Sequence, residues 1–432
     1  MSHILVCSAA SPGHVDPLLT AARHLQSVGH NVTFNTSECF RRKVESAGIR
    51  FIPAVGKANY DYRKGLDSQA EKNLSSNEHK TRGVRAWFAE TIPDQHRLVQ
   101  QILQETPVDV VVAGTMFFGV LPMLLGPRSK RPPVVGLGVN PLMLSSRDCA
   151  LTSPPEKSAE GKRRILKENQ EFQATFQPLS DCMNEMLHAC GAPSTPHFFL
   201  DSMYLLPNLV LQFTADVFEF PRSDMPDTIR FAGPLPPKHF AGFEKPDWWA
   251  ELDGRRPVVL VTQGTLANRD LNEVIQPALT GLADEEVTVI VAAGTDNTQT
   301  LAVPANARVA SFIPFDQLLP KVDVFVTNGG YGAVNQALSL GVPTVVAGET
   351  EDKNFVAARV AWSGAGISLK TRYASPEQIR SAVREILTTK RYRAEAQRLQ
   401  ANFAQYNALD EVARAVDTML AQDRVMEKAV SA

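Results

Sequence analysis

The sequence predicts an α/β protein of two doubly wound, parallel-sheet domains that face each other across a cleft. Three observations predict it. Short apolar strands alternate with amphipathic helices from His3 to Pro53, the same alternation restarts at Val258, and a proline-rich stretch separates the two runs. Strand–helix–strand repetition of this kind builds parallel sheets with right-handed crossovers. The 432 residues suffice for two domains of roughly 200 each.

The first half opens with the apolar strand His3–Ala9, followed by the turn Ala10-Ser11-Pro12-Gly13-His14. Asp16-Pro17 then opens a helix carrying Leu18, Leu19, Ala22 and Leu25, which Gly29 ends. Asn31–Asn35 and Ile49–Pro53 read as strands around a helix at Phe40–Ala47. Residues 56–82 are polar and irregular, a surface loop with some helix. Trp87–Glu105 reads as a helix with Ile92, Leu98, Ile102 and Leu103 inward, and Val108–Ala113, Val134–Leu137 and Val210–Phe213 as strands. Residues 161–190 read as helix.

Pro221, Pro226, Pro234, Pro236, Pro237 and Pro246 mark residues 221–246 as a linker, because proline interrupts helices and central strands. Domains are therefore expected at 1–220 and 247–405, with a last helix near 409–428 bracing the first. In the second half, strands are expected at Val258–Thr262, Val287–Ala292, Val309–Ile313, Val322–Val326 and Thr344–Ala347. Helices are expected at Leu271–Leu282, Pro376–Leu387, Arg391–Phe403 and Leu409–Val425, the second with Ser375 as N-cap and Pro376 at N1.

Bulk properties exclude several classes. A net charge of −2 argues against a nucleic-acid partner, and Arg41–Lys43 and Lys162–Arg164 read as solvated helix faces. The longest apolar run, Met116–Gly126, contains Pro122 and is too short to span a bilayer. Five cysteines without metal-ligand spacing suit a reducing compartment, and the N-terminus enters a strand at once, so a cytoplasmic protein without a signal peptide is expected. No metal or resident cofactor is expected.

Three turns follow strands and carry glycine or polar residues: Ser11–His14, Gln263-Gly264-Thr265 and Asn328-Gly329-Gly330-Tyr331-Gly332. Ligands of open α/β sheets bind at such carboxyl ends. The third leads from a β-rich run into a helix carrying Val334, Ala337 and Leu338. Glycines admit a ligand to the main chain and free helical amides attract anions, so a diphosphate fits; a plain tight turn is the alternative. His14 is mostly neutral at pH 7 and suits a general base, against the alternative of a histidine bonded to backbone.

These residues carry a resemblance. S-P-G-H-V-D-P at 11–17 and the following L-L-x-A-A-R-H-L-x-x-x-G-H-x-V-T-F, with the stretch from Phe312 to Ala358, resemble the GT-B UDP-glycosyltransferases, nearest the bacterial and fungal macrolide or flavonoid type. The likeness covers almost the whole chain. It implies a UDP-sugar donor, with glucose the expected sugar, a small lipophilic acceptor and a metal-independent inverting displacement. In that reading His14 is the catalytic base. Gly13, Gln263, Gly264, Thr265, Phe312, Ile313, Asn328, Gly329, Gly330, Tyr331, Gly332, Gln336, Asp352 and Lys353 hold the donor. Phe312 would stack on the base, or sit in the core; Gln336 would hold the ribose, or be an exposed helix glutamine. The acceptor pocket is expected in the first half, with Trp87 and Phe88 on the variable loop and Phe117 and Phe118 as apolar walls, the core being the alternative for the last two. The protein is expected to be a monomer or homodimer.

Four positions depart from the family pattern. Asn328 stands where a histidine is usual, and Ala333 where a hydroxyl is usual. Asp352-Lys353 replaces Asp-Gln, so Lys353 would favour an acidic sugar, contact a phosphate or pair with Glu351. Gly114 replaces the aspartate that orients the histidine, so another carboxylate serves, the base acts alone, or transfer is weak. These substitutions motivate two rivals: a nucleotide-sugar-binding protein with reduced or lost transfer, and, more weakly, an epimerase or hydrolase.

Overall fold

The computed structural model describes residues 1–64, 81–238, 240, 242–264 and 270–431. Among the described residues two parallel sheets form. The first has the order β3-β2-β1-β4-β5-β6-β7 and the second β10-β9-β8-β11-β12-β13. Its strands are β1 His3–Cys7, β2 Asn31–Thr36, β3 Arg50–Pro53, β4 Val110–Gly114, β5 Val134–Gly138, β6 Leu209–Gln212 and β7 Ile229–Phe231. The second sheet holds β8 Val258–Thr262, β9 Thr288–Ala292, β10 Ala307–Ala310, β11 Val324–Thr327, β12 Thr344–Val346 and β13 Gly366–Ser368.

The main helices are α1 Pro12–Ser27, α2 Arg41–Ser46, α3 Ile92–Glu105, α4 Ala159–Ala189, α5 Phe199–Leu205, α6 Ile275–Gly281, α7 Tyr331–Ser339, α8 Lys353–Ser363, α9 Pro376–Thr388, α10 Lys390–Phe403 and α11 Ala408–Ser431. No described helix is long and apolar enough to cross a membrane.

Both sheets are covered on both faces, which is why their strands read as unbroken apolar runs. Leu5 and Cys7 of β1 face the core beneath α3, with Ile92, Val99 and Ile102. Ile4 and Val6 point the other way, against Leu18, Ala22 and Leu25 of α1 and Val412, Val416 and Met419 of α11. The last helix thus packs on the first sheet. In the second sheet Val259 and Val261 meet Ile275, Leu279, Ile379 and Val383, while Leu260 faces Ile290, Phe325 and Leu318.

Helix α9 starts where its sequence dictates: Ser375 accepts from the Gln378 amide, Gln378 bonds back to the Ser375 amide, and Pro376 occupies the first turn. Three differences from expectation have local causes. Helix α1 starts at Pro12, four residues early, because Pro12 suits a first turn and Pro17 is tolerated within it. The proline-rich stretch contains a strand, β7, which sits at the sheet edge, pairing only with β6. Strand β10 ends at Ala310, so Phe312 and Ile313 lie beyond it. Helices α5 and α8 and strand β13 carry no strong sequence signal and were not expected.

Contacts between the halves include an apolar cluster and a charged pair. Ala215 and Phe218 of the first join Tyr331, Val334, Val356, Val360 and Phe403 of the second. Beside them Arg359, fully buried on α8, meets the Glu219 carboxylate at 2.6 Å and donates to the carbonyls of Leu142 and Leu151. Its guanidinium also lies over the Phe220 ring at 4.7 Å.

Candidate active site

Each sheet reverses its strand order once, between β1 and β4 and between β8 and β11. The turns at those carboxyl ends are the expected ligand sites. At the first, Cys7 lies in register with Ala113, so α1 leaves β1 next to the end of β4 at Gly114. At the second, Thr262 is in register with Thr327, which sets Gln263-Gly264 beside Asn328-Gly329.

His14 occupies the first turn of α1, not a loop, and is buried. No hydrogen bond reaches its ring from the described residues. Its ring stands edge-on to Phe88, with centroids 5.9 Å apart. Burial lowers its pKa to about 4, and the charge of Glu351, from the second half, opposes that shift. His14 is therefore neutral at pH 7 and faces the loop after β12. At Gly114 an added Cβ would meet Leu18 Cδ2 at 3.5 Å and Cδ1 at 3.7 Å, ordinary contacts.

The glycine turn of the second half has the shape of an anion cradle. Gly329 has φ +95, and a Cβ there would come within 2.7 Å of Val346 Cγ1. Added Cβ atoms at Gly330 and Gly332 would meet nothing within 4 Å, so this side of the turn is open. Gly330 is the N-cap of α7 and no side chain caps the helix. The amides of Tyr331, Gly332 and Ala333 precede the first intrahelical bond, Val334 N to Gly330 O at 3.0 Å.

Several candidate side chains are engaged elsewhere. Gln263 is fully buried; its Oε1 accepts from the Val274 and Ile275 amides at the start of α6, and its Nε2 donates to Asp270 O. The Tyr331 hydroxyl accepts from Gln212 of the first half at 3.0 Å, within the interdomain core. Gln263 and Tyr331 can thus offer a ligand their main chain, their side chains being engaged within the protein. Asn328 Nδ2 donates to Gln263 O at 2.5 Å, tying the two turns together, while its Oδ1 is buried without a partner. Thr265 lies outside the described residues, as do residues 65–80 of the variable loop.

Phe312 is 55 % exposed, which excludes the core alternative, and makes an edge contact with the exposed Phe240 at 4.8 Å. Ile313 is buried beside it. Gly13 is exposed and Gln336 half-buried. Asp352 accepts from Asn140 Nδ2 of the first half at 2.7 Å, and burial raises its pKa. Lys353 is buried, with Nζ bonded to Thr350 Oγ1 and Glu351 Oε2, each at 2.9 Å. Of the readings for Lys353, the pair with Glu351 is present.

On the acceptor side Trp87 stacks on Tyr60 at 6.0 Å, and Phe88 joins His14 to Phe118. Phe117 and Phe118 are fully buried and belong to the core beneath α3. Sequence reasoning named Glu351 only as a partner for Lys353, not as a charge near His14, and missed Asn140, which carried no signal.

Residues 277–419 match the family described as erythromycin biosynthesis protein CIII-like, C-terminal domain. The chain is 38 % identical to 4'-demethylrebeccamycin synthase of Lentzea aerocolonigenes, covering 96 % of this chain and 98 % of that protein. It is 34 % identical to UDP-glucosyltransferase B1 of Starmerella bombicola, covering 96 % and 98 %. Among solved structures, the calicheamicin glycosyltransferase CalG4 superposes with a TM-score of 0.74 at 21 % identity, covering 98 % of each chain.

Proposed function

The chain belongs to the GT-B nucleotide-sugar glycosyltransferases, and from that premise we propose an inverting transfer of glucose from UDP-glucose to a hydroxyl of a small lipophilic natural product, with His14 as the base. The observation that carries this reading is the opposition of two features across the cleft. A buried, neutral histidine stands at the mouth of β1, and the charge of Glu351 acts on it from the loop that packs against Gly329 of the glycine turn.

The reaction then runs as a single displacement. A neutral imidazole nitrogen of His14 takes the acceptor's hydroxyl proton. The oxygen attacks the anomeric carbon from the face opposite the diphosphate, the bond from that carbon to the diphosphate oxygen breaks, and UDP leaves with the electron pair. The charge gathering on the leaving group needs fixed positive dipoles, and the amides of Tyr331, Gly332 and Ala333 supply them at the α7 N-terminus. Gly329 and Gly330 let the phosphates approach the main chain. Phe312 offers its exposed ring to the uracil, with the Ile313 main chain alongside and Gln336 on the ribose diol. Asp352 would exchange its bond to Asn140 for sugar hydroxyls. Trp87 and Phe88 line the acceptor side, with Phe117 and Phe118 as the packed floor behind Phe88.

Two relatives support the substrate classes, a UDP-glucosyltransferase for the donor and a 4'-demethylrebeccamycin synthase for a natural-product acceptor. The test is a panel of phenols, flavonoids, indoles and macrolides with UDP-glucose, the anomeric configuration of the product being read by NMR. Inversion is expected. His14→Ala should cut turnover about 10²–10⁴-fold with UDP affinity unchanged, the range of a lost general base. Near-normal turnover in that variant would remove the base assignment.

A further inference from the structure

The usual side-chain donors to the leaving group are absent from the glycine turn. Asn328 has its amide nitrogen committed to Gln263 O and presents a buried oxygen, an acceptor, rather than a charge. Ala333 has no hydroxyl. Main-chain amides remain, but a diphosphate departing at the transition state develops more charge than it carries in the bound donor, and a cation there contributes most to rate.

A lysine packs its stem against this turn. Lys353 is 5 % exposed and opens α8, directly after the loop that follows β12. A Cβ added at Gly329 would lie 3.3 Å from Lys353 O and 3.6 Å from its Cβ; one at Gly348 would lie 3.1 Å from Lys353 Cδ. The stem of Lys353 therefore packs on the filled side of the turn, against Gly329 and Gly348, one residue before the open Gly330. Its Nζ ends on Thr350 Oγ1 and on Glu351, whose side chain is 59 % exposed. Glu351 itself sits at φ +58, a left-handed conformation that a non-glycine residue adopts at a cost and that concentrates at functional loops. The Asp352 carboxylate beside it is held by Asn140.

We propose that Lys353 is the catalytic cation of the leaving diphosphate, standing in for the side chains that the glycine turn lacks, with Glu351 as its exchangeable counter-charge. The proposal rests on the donor reading above. When the diphosphate occupies the turn, the Lys353 ammonium trades the exposed Glu351 carboxylate for a phosphate oxygen, and Glu351 swings toward solvent. Burial of the stem fixes where the charge goes, because only the end of the side chain has to move.

Lys353→Met keeps the buried stem and removes the charge. Calorimetry with UDP and with uridine on the full chain reads the phosphate contact without any need for an acceptor. UDP affinity should fall about tenfold or more while uridine affinity is unchanged. With whichever panel acceptor the wild type glucosylates, kcat should fall about 100-fold, the effect of removing one transition-state donor, with the acceptor KM unchanged. Asn328→His in the Lys353→Met background should restore part of both losses by returning a donor to the turn. Equal UDP affinity in the variant and wild type overturns the proposal. So does an equal loss for uridine, which marks a structural role, or a loss confined to UDP-glucuronate as donor, which assigns the cation to a sugar carboxylate. A wild type that binds no UDP sinks the donor reading itself, and this inference with it.

Discussion

Returning a carboxylate to position 114 probes the most consequential departure in the site. Gly114 ends β4 beside the strand that delivers His14, and a Cβ there makes only ordinary contacts with Leu18 at 3.5 and 3.7 Å, so Gly114→Asp should fold. The imidazole is held at a pKa of about 4 against an ordinary 6.5, with burial the dominant cause. At about 1.4 kcal/mol per pH unit, that difference is roughly 3 kcal/mol against the imidazolium that forms as the acceptor's proton is taken. A neighbouring carboxylate that recovers half of it should raise kcat about tenfold.

The sign is fixed by the direction of the shift. A lowered pKa keeps His14 neutral down to about pH 4, so the acid limb of kcat/KM in the wild type should lie near there. Stability should also fall as pH drops from about 6.5 to about 4, because the unfolded chain binds the proton first. Gly114→Asp should raise the acid limb and narrow this window from its lower edge, since its upper edge is set by the unfolded chain. The assay is a pH–rate profile of glucosyl transfer beside thermal melts over the same range. A folded variant with an unchanged rate and an unmoved acid limb would refute the reasoning, and would mean that His14 already has an adequate partner, Glu351 being a charge near enough to act on it.

Two further outcomes are expected. Phe312→Ala should weaken UDP binding by calorimetry about 5–100-fold, the range for a lost base–aromatic stack, with no change in melting temperature because the ring is 55 % exposed; unchanged affinity would remove the stacking role. Arg359→Met should cost about 3 kcal/mol in urea unfolding by removing the nearer of two cations at buried Glu219, the Arg222 guanidinium remaining at 3.8 Å; a loss below about 1 kcal/mol would show that the interdomain pair contributes little.

Much of the fold and the outline of the site were legible in the chain because local chemistry specifies them. Two-sided burial makes parallel strands continuous apolar runs, as in Val258–Thr262 and Val324–Thr327, and the turns at their ends follow directly. The capping box at Ser375 marks its helix without help from elsewhere. Short edge elements escaped for the opposite reason. Three-residue β13 offers no period to read, and β7 sits among prolines that only an edge strand tolerates.

Residue types in the site could be read from sequence, but their engagement could not. Asn328, Gln263 and Tyr331 were all visible as polar or aromatic residues at strand ends. That Gln263 satisfies the start of α6, that Asn328 ties one turn to the other, and that Tyr331 bonds across to Gln212 depend on partners 7 to 119 residues away. Two doubly wound halves, a histidine at one strand mouth and a glycine turn at another could be read from the residues alone, since strand periodicity and glycine stereochemistry are local. It took the packed chain to bring the Glu351 charge near His14, to lay Lys353 against Gly329, and to pair Arg359 with Glu219 across the halves. Burial and charge pairing are set by which surfaces meet, and those surfaces come from distant parts of the chain.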